Sequence, residues 1–256
     1  MGEDFDKAVL ILRRTEAAGT DDQGTWAGGT WIRTRSLPQV HDANHVIVLE
    51  IGFGLSWEAV ADAADEIQAG LPNRIVEFVE CAATDALATR FRTAGWLEEP
   101  LGVMVYQRPP DRHVDTKAVH IVDAAAMRAA RTASLADEAW ASSDAVAQVR
   151  EKQERVGREV ATTHLAVIDD GIVVSYCEVF CVDDVAQIES VATVPTHRRR
   201  GYARAVVSRA LEVTVDCRLV FLSVDPNDWP RSLYSRLGFD AVGRVARFRK
   251  ALPGSR

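Results

Sequence analysis

The hydrophobic positions of this chain fall into two series separated by a polar, proline-marked break. In the second series, Val119–Val122 is a short apolar run of strand length, and Ala124–Ala139 carries Ala and Arg in a pattern that predicts a helix. Residues 144–159 are polar with scattered Val and predict a second, more exposed helix. β-Branched runs at 163–168, 172–181 and 186–194 predict three strands, with the first two joined through the turn Asp169-Asp170-Gly171. From 201 onward Ala203, Val207, Ala210, Leu211 and Thr214 recur at helical spacing. Arg218–Val224 is a continuous apolar run and predicts a buried central strand. A helix over 229–237 follows, with Asn227 or Asp228 as N-cap and Pro230 in the first turn, and then a strand over 241–249.

The first series is less regular. It predicts a helix over 5–18, a strand near 28–34, a strand at His45–Ile51 and a helix at 57–69. A strand at Arg74–Val79, a helix at 83–94 and a strand at 101–107 complete it. Between the series, Gln107-Arg-Pro-Pro-Asp-Arg-His113 ends any regular element, which sets a linker at about 108–117. The chain therefore divides into a domain over 1–110 and another over 111–256, and Pro253–Arg256 is expected to be frayed.

Composition narrows the classes. With 47% hydrophobic and 26% charged residues, the 256-residue chain has the profile of a soluble globular protein. No apolar run approaches the roughly 20 residues needed to span a bilayer. The opening MGEDFDKAVLILRRTE is acidic and does not read as a signal peptide, and Asp6 does not fit a myristoylation signal. A net charge of -7 disfavours nucleic acid and anionic membranes as partners. Cys81, Cys177, Cys181 and Cys217 form no Cys-x-x-Cys pair and no compact metal set, so reduced thiols in a cytoplasmic protein without a metal are expected.

Local chemistry concentrates in Gln187-Ile-Glu-Ser-Val-Ala-Thr-Val-Pro-Thr-His-Arg-Arg-Arg-Gly-Tyr-Ala203. A strand enters a Pro-marked turn, three arginines follow, and Gly201-Tyr202-Ala203 opens a helix. The first backbone N–H groups of a helix lack intrahelical partners and lie at the positive end of its dipole. Small residues at Gly201 and Ala203 let these donors approach a diphosphate, and the arginines complete an anion site. A basic, solvated loop is the alternative on this segment alone. Downstream, the strand Leu219–Val224 leads to Asn227, and Leu233-Tyr234-Ser-Arg-Leu-Gly-Phe239 follows on the next helix. Taken singly, that Tyr is better explained as an amphipathic core residue before a Gly cap.

In this order the motifs resemble the GNAT superfamily of N-acetyltransferases, over roughly residues 118–250. The resemblance implies an α/β fold with a mixed central sheet flanked by helices. It implies acetyl-CoA as co-substrate, with its pyrophosphate on Arg198, Arg199, Arg200, Gly201, Tyr202, Ala203 and Arg204, and Asn227 as a further contact. Val191, Ala192 and Thr193 would pair with the pantetheine arm, and Tyr234 would protonate the departing thiolate. Pro230 stands where the family usually has a small Ala.

Amine acylation also needs a base, because a lysine-like amine has a pKa of about 10.4. Glu189 is the candidate, two residues before Val191 and by strand alternation on the same face; a structural partner for an arginine is the other reading. Gln187 could orient a water, and Glu178 and His164 are reserves. An oxyanion would be met by a backbone N–H near Val191.

The first half repeats part of the pattern. Arg74–Glu80 parallels Arg218–Val224, and Ala94-Gly95-Trp96 parallels Leu237-Gly238-Phe239, which sets Phe91 opposite Tyr234. No Arg-x-x-Gly-x-Ala turn precedes it; Ile51-Gly-Phe-Gly-Leu55 has glycines but no cation. A degenerate GNAT-like domain is the expectation, with chance similarity of two strand–helix–strand units as the alternative. The functional expectation is an acetyltransferase acting on a small-molecule or exposed amino group, as a monomer or homodimer. The competing function is an inactive acyl-CoA-binding regulatory module. Acceptor determinants are expected over 124–162, which lack a distinctive charge cluster.

Overall fold

The structure is a computed structural model that describes residues 2–49, 55–138 and 140–252. The glycine-bearing residues 51–54, with the end of the strand expected at His45–Ile51, and the tail 253–256 lie outside the described residues. The first half runs α1 (Glu3–Ala17), β1 (Asp22–Trp26), β2 (Gly29–Arg33), β3 (His45–Val48), α2 (Trp57–Ile67), β4 (Asn73–Val79), α3 (Asp85–Thr93), β5 (Leu97–Glu98) and β6 (Leu101–Tyr106). The second continues with β7 (Val119–Val122), α4 (Ala124–Ala136), α5 (Ser143–Glu159), β8 (Ala161–Asp169), β9 (Ile172–Val182), β10 (Val185–Thr193), α6 (Tyr202–Val213), β11 (Leu219–Val224), α7 (Pro230–Arg236) and β12 (Phe239–Ala251).

Local chemistry sets most boundaries. The side chains of Ser56, Asp123 and Ser142 accept the N–H groups of Ala59, Ala126 and Ala145, and so cap α2, α4 and α5. The expected cap of α7 differs. Asp228 accepts from its neighbour Trp229 N–H, Asn227 donates its own N–H to Asp225, and Trp229 takes the N-cap position without a side-chain bond. Pro230 at the first position presets the helical φ, so the helix starts without a polar cap.

Among the described residues the strands form one mixed sheet in the order β1-β2-β3-β4-β12-β6-β11-β10-β9-β8-β7, with β5 on β12. Its parallel contacts are β3 with β4 and β10 with β11. The two halves interlock. Strand β6 lies between β11 (Phe221 opposite Val105) and β12 (Phe239 opposite Tyr106). Strand β12 runs on past a bulge at Ala241/Gly243 to pair with β4, setting Phe248 opposite Val76, and with β5. Residues 107–118 are the break in regular structure that the prolines predict, but the sheet crosses it.

Three apolar layers hold this arrangement. Helix α6 covers β8–β11 through Val206, Val207 and Ala210, with Leu165, Val179 and Leu222 beneath. Helix α1 packs Phe5, Ile11 and Leu12 on the other face, over Val105, Phe221 and Val245. Helices α2 and α3 cover the far end, where Phe91 stacks on Phe248 (5.3 Å) and Phe248 on Phe78 (5.7 Å). Each such ring contributes about 2–3 kcal/mol of burial. Arg247 of β12 reaches back to Glu16 of α1 (2.8 Å), Glu77 of β4 (2.9 Å) and Asp42, a buried junction of the halves.

Candidate active site

The site forms where β10 and β11 separate. They pair from Val185–Leu219 to Ile188–Leu222 and then part. On the β9 side, Glu189 lies opposite Glu178, but Ala192 lies opposite Tyr176, so one extra residue is accommodated between them. Ser190 takes a positive φ of 56° within this bulge. The bulge breaks the alternation expected from sequence. Glu189 and Val191 end on opposite faces, Val191 packing against the α6 layer and Glu189 facing the α1 side.

A cleft opens on each side of this split. The first, about 1020 Å³, is lined by Val191, Ala192 and Thr193, by the turn from Pro195 to Arg204, and by Trp229, Leu233 and Tyr234. Arg199 (φ 64°) and Gly201 (φ 85°) are left-handed, which turns the chain sharply into α6. A Cβ on Gly201 would meet nothing within 4 Å, so the glycine is required by its backbone angle rather than by crowding. The first bond of α6 is Ala205 N–H to Gly201 C=O at 3.0 Å, so the N–H groups of Tyr202, Ala203 and Arg204 precede the helical ladder and are free of it. Three backbone N–H groups thus lie outside the ladder at the start of α6, beside the arginines of the turn.

The arginines divide their work. Arg198 donates to Asp137 (3.0 Å) and to the Thr193 carbonyl (3.2 Å), bracing the turn against the end of α4. Arg200 sits 3.7 Å from Asp169. Arg199 lines the cleft, and Arg204 lines both it and a smaller recess of about 400 Å³ shared with Asp111, Arg112 and Arg236. Asn227 is exposed on the adjoining loop; its neighbours Asp228 and Trp229 form the wall. Trp229, 68% exposed, had no signal in the spacing of the sequence.

Tyr234 lies at the floor, 7% exposed, packed edge-on to Phe239 at 6.3 Å. Burial, then the neighbouring Glu189 and Cys177, raise its phenol pKa well above the ordinary value. It therefore holds its proton throughout the neutral range.

The second cleft, about 820 Å³, lies on the other side of the split and contains Glu189, Ser190 and Asp225. The first half supplies much of its wall, including Thr15, Glu16, Gln39, Asp42 and Glu99. Trp140, Lys152 and Gln153 come from the segment expected to hold the acceptor. Thr15 donates to Gln187 (2.7 Å) and Gln187 to Glu189 (2.8 Å), so a helix of the first half orients the candidate base through one buried amide. No cation faces Glu189 among the described ion pairs, and burial raises its pKa. The reserves are engaged elsewhere: buried Arg131 takes Glu178, and His164 lies 3.3 Å from the same carboxylate. Glu16, His45 and Glu77 bring ligand-type atoms within 4.8 Å of one another, but Arg247 already bridges both carboxylates.

A sequence profile of the acetyltransferase (GNAT) family matches residues 129–239. This stretch is a GNAT-family domain. It contains the Arg turn, the β10–β11 split and Tyr234, and the chemistry of the family is acyl transfer. Across the whole chain, the fold is similar to that of solved GNAT proteins. A GCN5-related N-acetyltransferase from Kribbella flavida superposes with a TM-score of 0.63 at 16% identity, covering 99% of this chain and 97% of that one. A tandem GNAT protein from the clavulanic acid biosynthesis pathway gives 0.57 at 13%, covering 98% and 97%. A functionally unknown conserved protein from Staphylococcus epidermidis ATCC 12228 gives 0.69 at 13%, covering 90% and 94%. At these identities the likeness is one of fold. No curated protein matches the chain.

Proposed function

We propose that the chain is an N-acetyltransferase that takes acetyl-CoA into the Arg-lined cleft and an amine into the opposite one. The observation that carries this reading is the position of the β10–β11 split between the two clefts, with Tyr234 on one side and Glu189 on the other. The free N–H groups at the start of α6, with Arg199, suit the pyrophosphate. Val191, Ala192 and Thr193 suit the pantetheine arm, and Asn227 lies close enough in sequence to Trp229 to act at its rim.

Glu189 takes a proton from the incoming ammonium, directly or through a water, and so frees its lone pair. The amine nitrogen bonds to the thioester carbonyl carbon, and a backbone N–H near Val191 meets the developing oxyanion, since the Ser190 N–H is already taken by Glu189. The carbon–sulfur bond then breaks, Tyr234 donates its proton to the thiolate, and the second proton lost by the acylated nitrogen passes through water to restore the phenol. The raised pKa of Tyr234 keeps that proton available, and the raised pKa of Glu189 makes it a better base than a solvated carboxylate.

The first half is a degenerate GNAT-like unit over about 1–110, and the second, over 111–256, is the catalytic one. The parallel pairs β3–β4 and β10–β11, and Phe91 in the place of Tyr234, support this division.

Tyr234→Phe tests the assignment, since it removes one oxygen and leaves the packing. Acetyl-CoA affinity should persist while kcat falls about 10²–10⁴-fold. Wild-type turnover by that variant would remove Tyr234 from the mechanism. Tight acetyl-CoA binding with no turnover of any amine by the wild type would favour a regulatory module.

A further inference from the structure

Arginines of this protein that sit in its walls mostly have carboxylates to hold: Arg131 takes Glu178, Arg198 takes Asp137, Arg247 takes Glu77 and Arg249 takes Glu99. Arg112, Arg204 and Arg236 do not. Among the described residues none of their side chains has an ion pair or a hydrogen bond, yet they meet around the recess of about 400 Å³ with Asp111. Asp111 is itself shared with Arg108 at 3.4 Å, so the three guanidinium groups face at most one carboxylate. Like charges gathered without a counterion repel, and loss of water strengthens the repulsion. Arg204 bears the most of it: the side chain is half-buried, its Nη1 is sealed without an acceptor, and burial, then Arg112 and Arg236, lower its pKa.

The fold nevertheless fixes this group in place. The segment that follows β6 returns to the end of α7. There Gln107 and Arg108 N–H donate to the Gly238 carbonyl (2.9 and 3.3 Å), and Asp111 N–H donates to that of Arg236 (2.9 Å). Arg108 Nη2 donates to the Ser235 carbonyl at 2.7 Å. A Cβ on Gly238 would collide with the Arg108 carbonyl, so the segment lies directly on the turn that ends α7. Arg112 stands one residue past the last of these bonds, on pinned polypeptide rather than a loose linker. Arg204 lines both this recess and the first cleft, so the two adjoin.

Coenzyme A carries two anionic groups, the pyrophosphate and a phosphate monoester on the 3′ position of its ribose. The monoester bears about two negative charges at neutral pH and three acceptor oxygens, which suits a recess of unpaired guanidinium groups. We infer that Arg112, Arg204 and Arg236 form the seat of the ribose 3′-phosphate of the acyl donor, so that the protein selects CoA thioesters over those of 3′-dephospho-CoA. This rests on the acetyl-CoA reading above, and it gives the segment between the halves a part in donor choice. No bond forms or breaks at the recess. The phosphate supplies the counter-charge that the fold leaves out.

Calorimetric titration of the full chain with acetyl-CoA and with acetyl-3′-dephospho-CoA tests this. The wild type should bind acetyl-CoA about 10-fold or more tighter, the scale of a charge-assisted contact. Arg112→Ala and Arg236→Ala alter exposed side chains, and each should weaken acetyl-CoA by about 5-fold, the scale of one exposed ion pair. Neither should change the affinity for acetyl-3′-dephospho-CoA, so the preference narrows, and Arg236→Lys should keep part of it. Raised salt should narrow the wild-type preference as well. A role in folding alone would weaken both thioesters together, and a recess serving a separate free anion would leave the wild type without a preference. Either result would overturn the inference and leave the acetyl-CoA reading intact. Failure of both thioesters to bind would instead strike that reading, and the inference with it.

Discussion

Two strand–helix units stand at matching stations in the sheet. Strand β4 runs parallel to β3, leads to α3 and ends at Gly95 (φ 79°) before Trp96; β11 runs parallel to β10, leads to α7 and ends at Gly238 (φ 97°) before Phe239. In the first, Phe91 is fully buried and touches Phe78, Trp96, Trp57 and Phe248. In the second, Tyr234 keeps the same kind of ring packing, against Phe239, yet lines a cleft with its hydroxyl-bearing side chain. A single oxygen, with an opening for it to face, separates a position that only packs from the one to which the proposed mechanism gives a proton to move. The first half keeps the scaffold and contributes through its walls and strands instead.

The largest expected effect follows from the shared strands. A chain of residues 113–256 lacks β6, so β11 and β12 lose the strand between them and the end of β12 loses β4. It should fail to unfold cooperatively by circular dichroism. A cooperative fragment that binds acetyl-CoA would show the halves to be independent. The converse fragment, 1–112, should show no acetyl-CoA binding.

Next in size, Glu189→Gln should lower kcat/KM by about 10²-fold. In the proposed mechanism Glu189 acts when ionised, and its pKa is raised by burial. The wild-type rate should therefore fall as pH drops through that raised pKa, at a higher pH than for an exposed carboxylate. The variant should lack this acidic limb, and a limb that persists would assign it to another group. Tyr234, with its pKa raised, should add no alkaline limb near neutrality.

The smallest effect is in Phe91→Tyr. The added hydroxyl enters a fully buried ring cluster and should reduce stability by about 1–3 kcal/mol, the penalty of an unpaired buried polar group, without creating a second acetyl-CoA site. Unchanged melting would mean that an opening exists beside Phe91 after all.

Element positions were legible because period and turn chemistry are local. The hairpin turn at Asp170-Gly171 takes φ values of 49° and 75°, as the sequence Asp-Asp-Gly suggests. The turn at 198–201 into a helix opening at Tyr202 is legible for the same reason. Three features were not. The bulge at Ser190 is set by strand pairing, and a Ser in an alternating run gives no sign of it, so alternation alone sets Glu189 and Val191 on one face. The interlocking of β6 and β12 depends on partners more than a hundred residues apart, while Pro109-Pro110 suggests separation. The sequence points to 124–162 for the acceptor determinants, but the wall of the second cleft also takes Glu16, Asp42 and Glu99 from the first half, dispersed in sequence and gathered by the sheet.

Calorimetric titration of the full chain with acetyl-CoA, alongside Gly201→Val, tests the division between the halves most directly. The left-handed angle at Gly201 disfavours any β-branched residue by about 1–2 kcal/mol, so the variant should reshape the turn and weaken binding by about 10-fold or more. The account predicts one acetyl-CoA per wild-type chain, with that site weakened in the folded variant. Two sites per chain, or affinity unchanged in folded Gly201→Val, would contradict it.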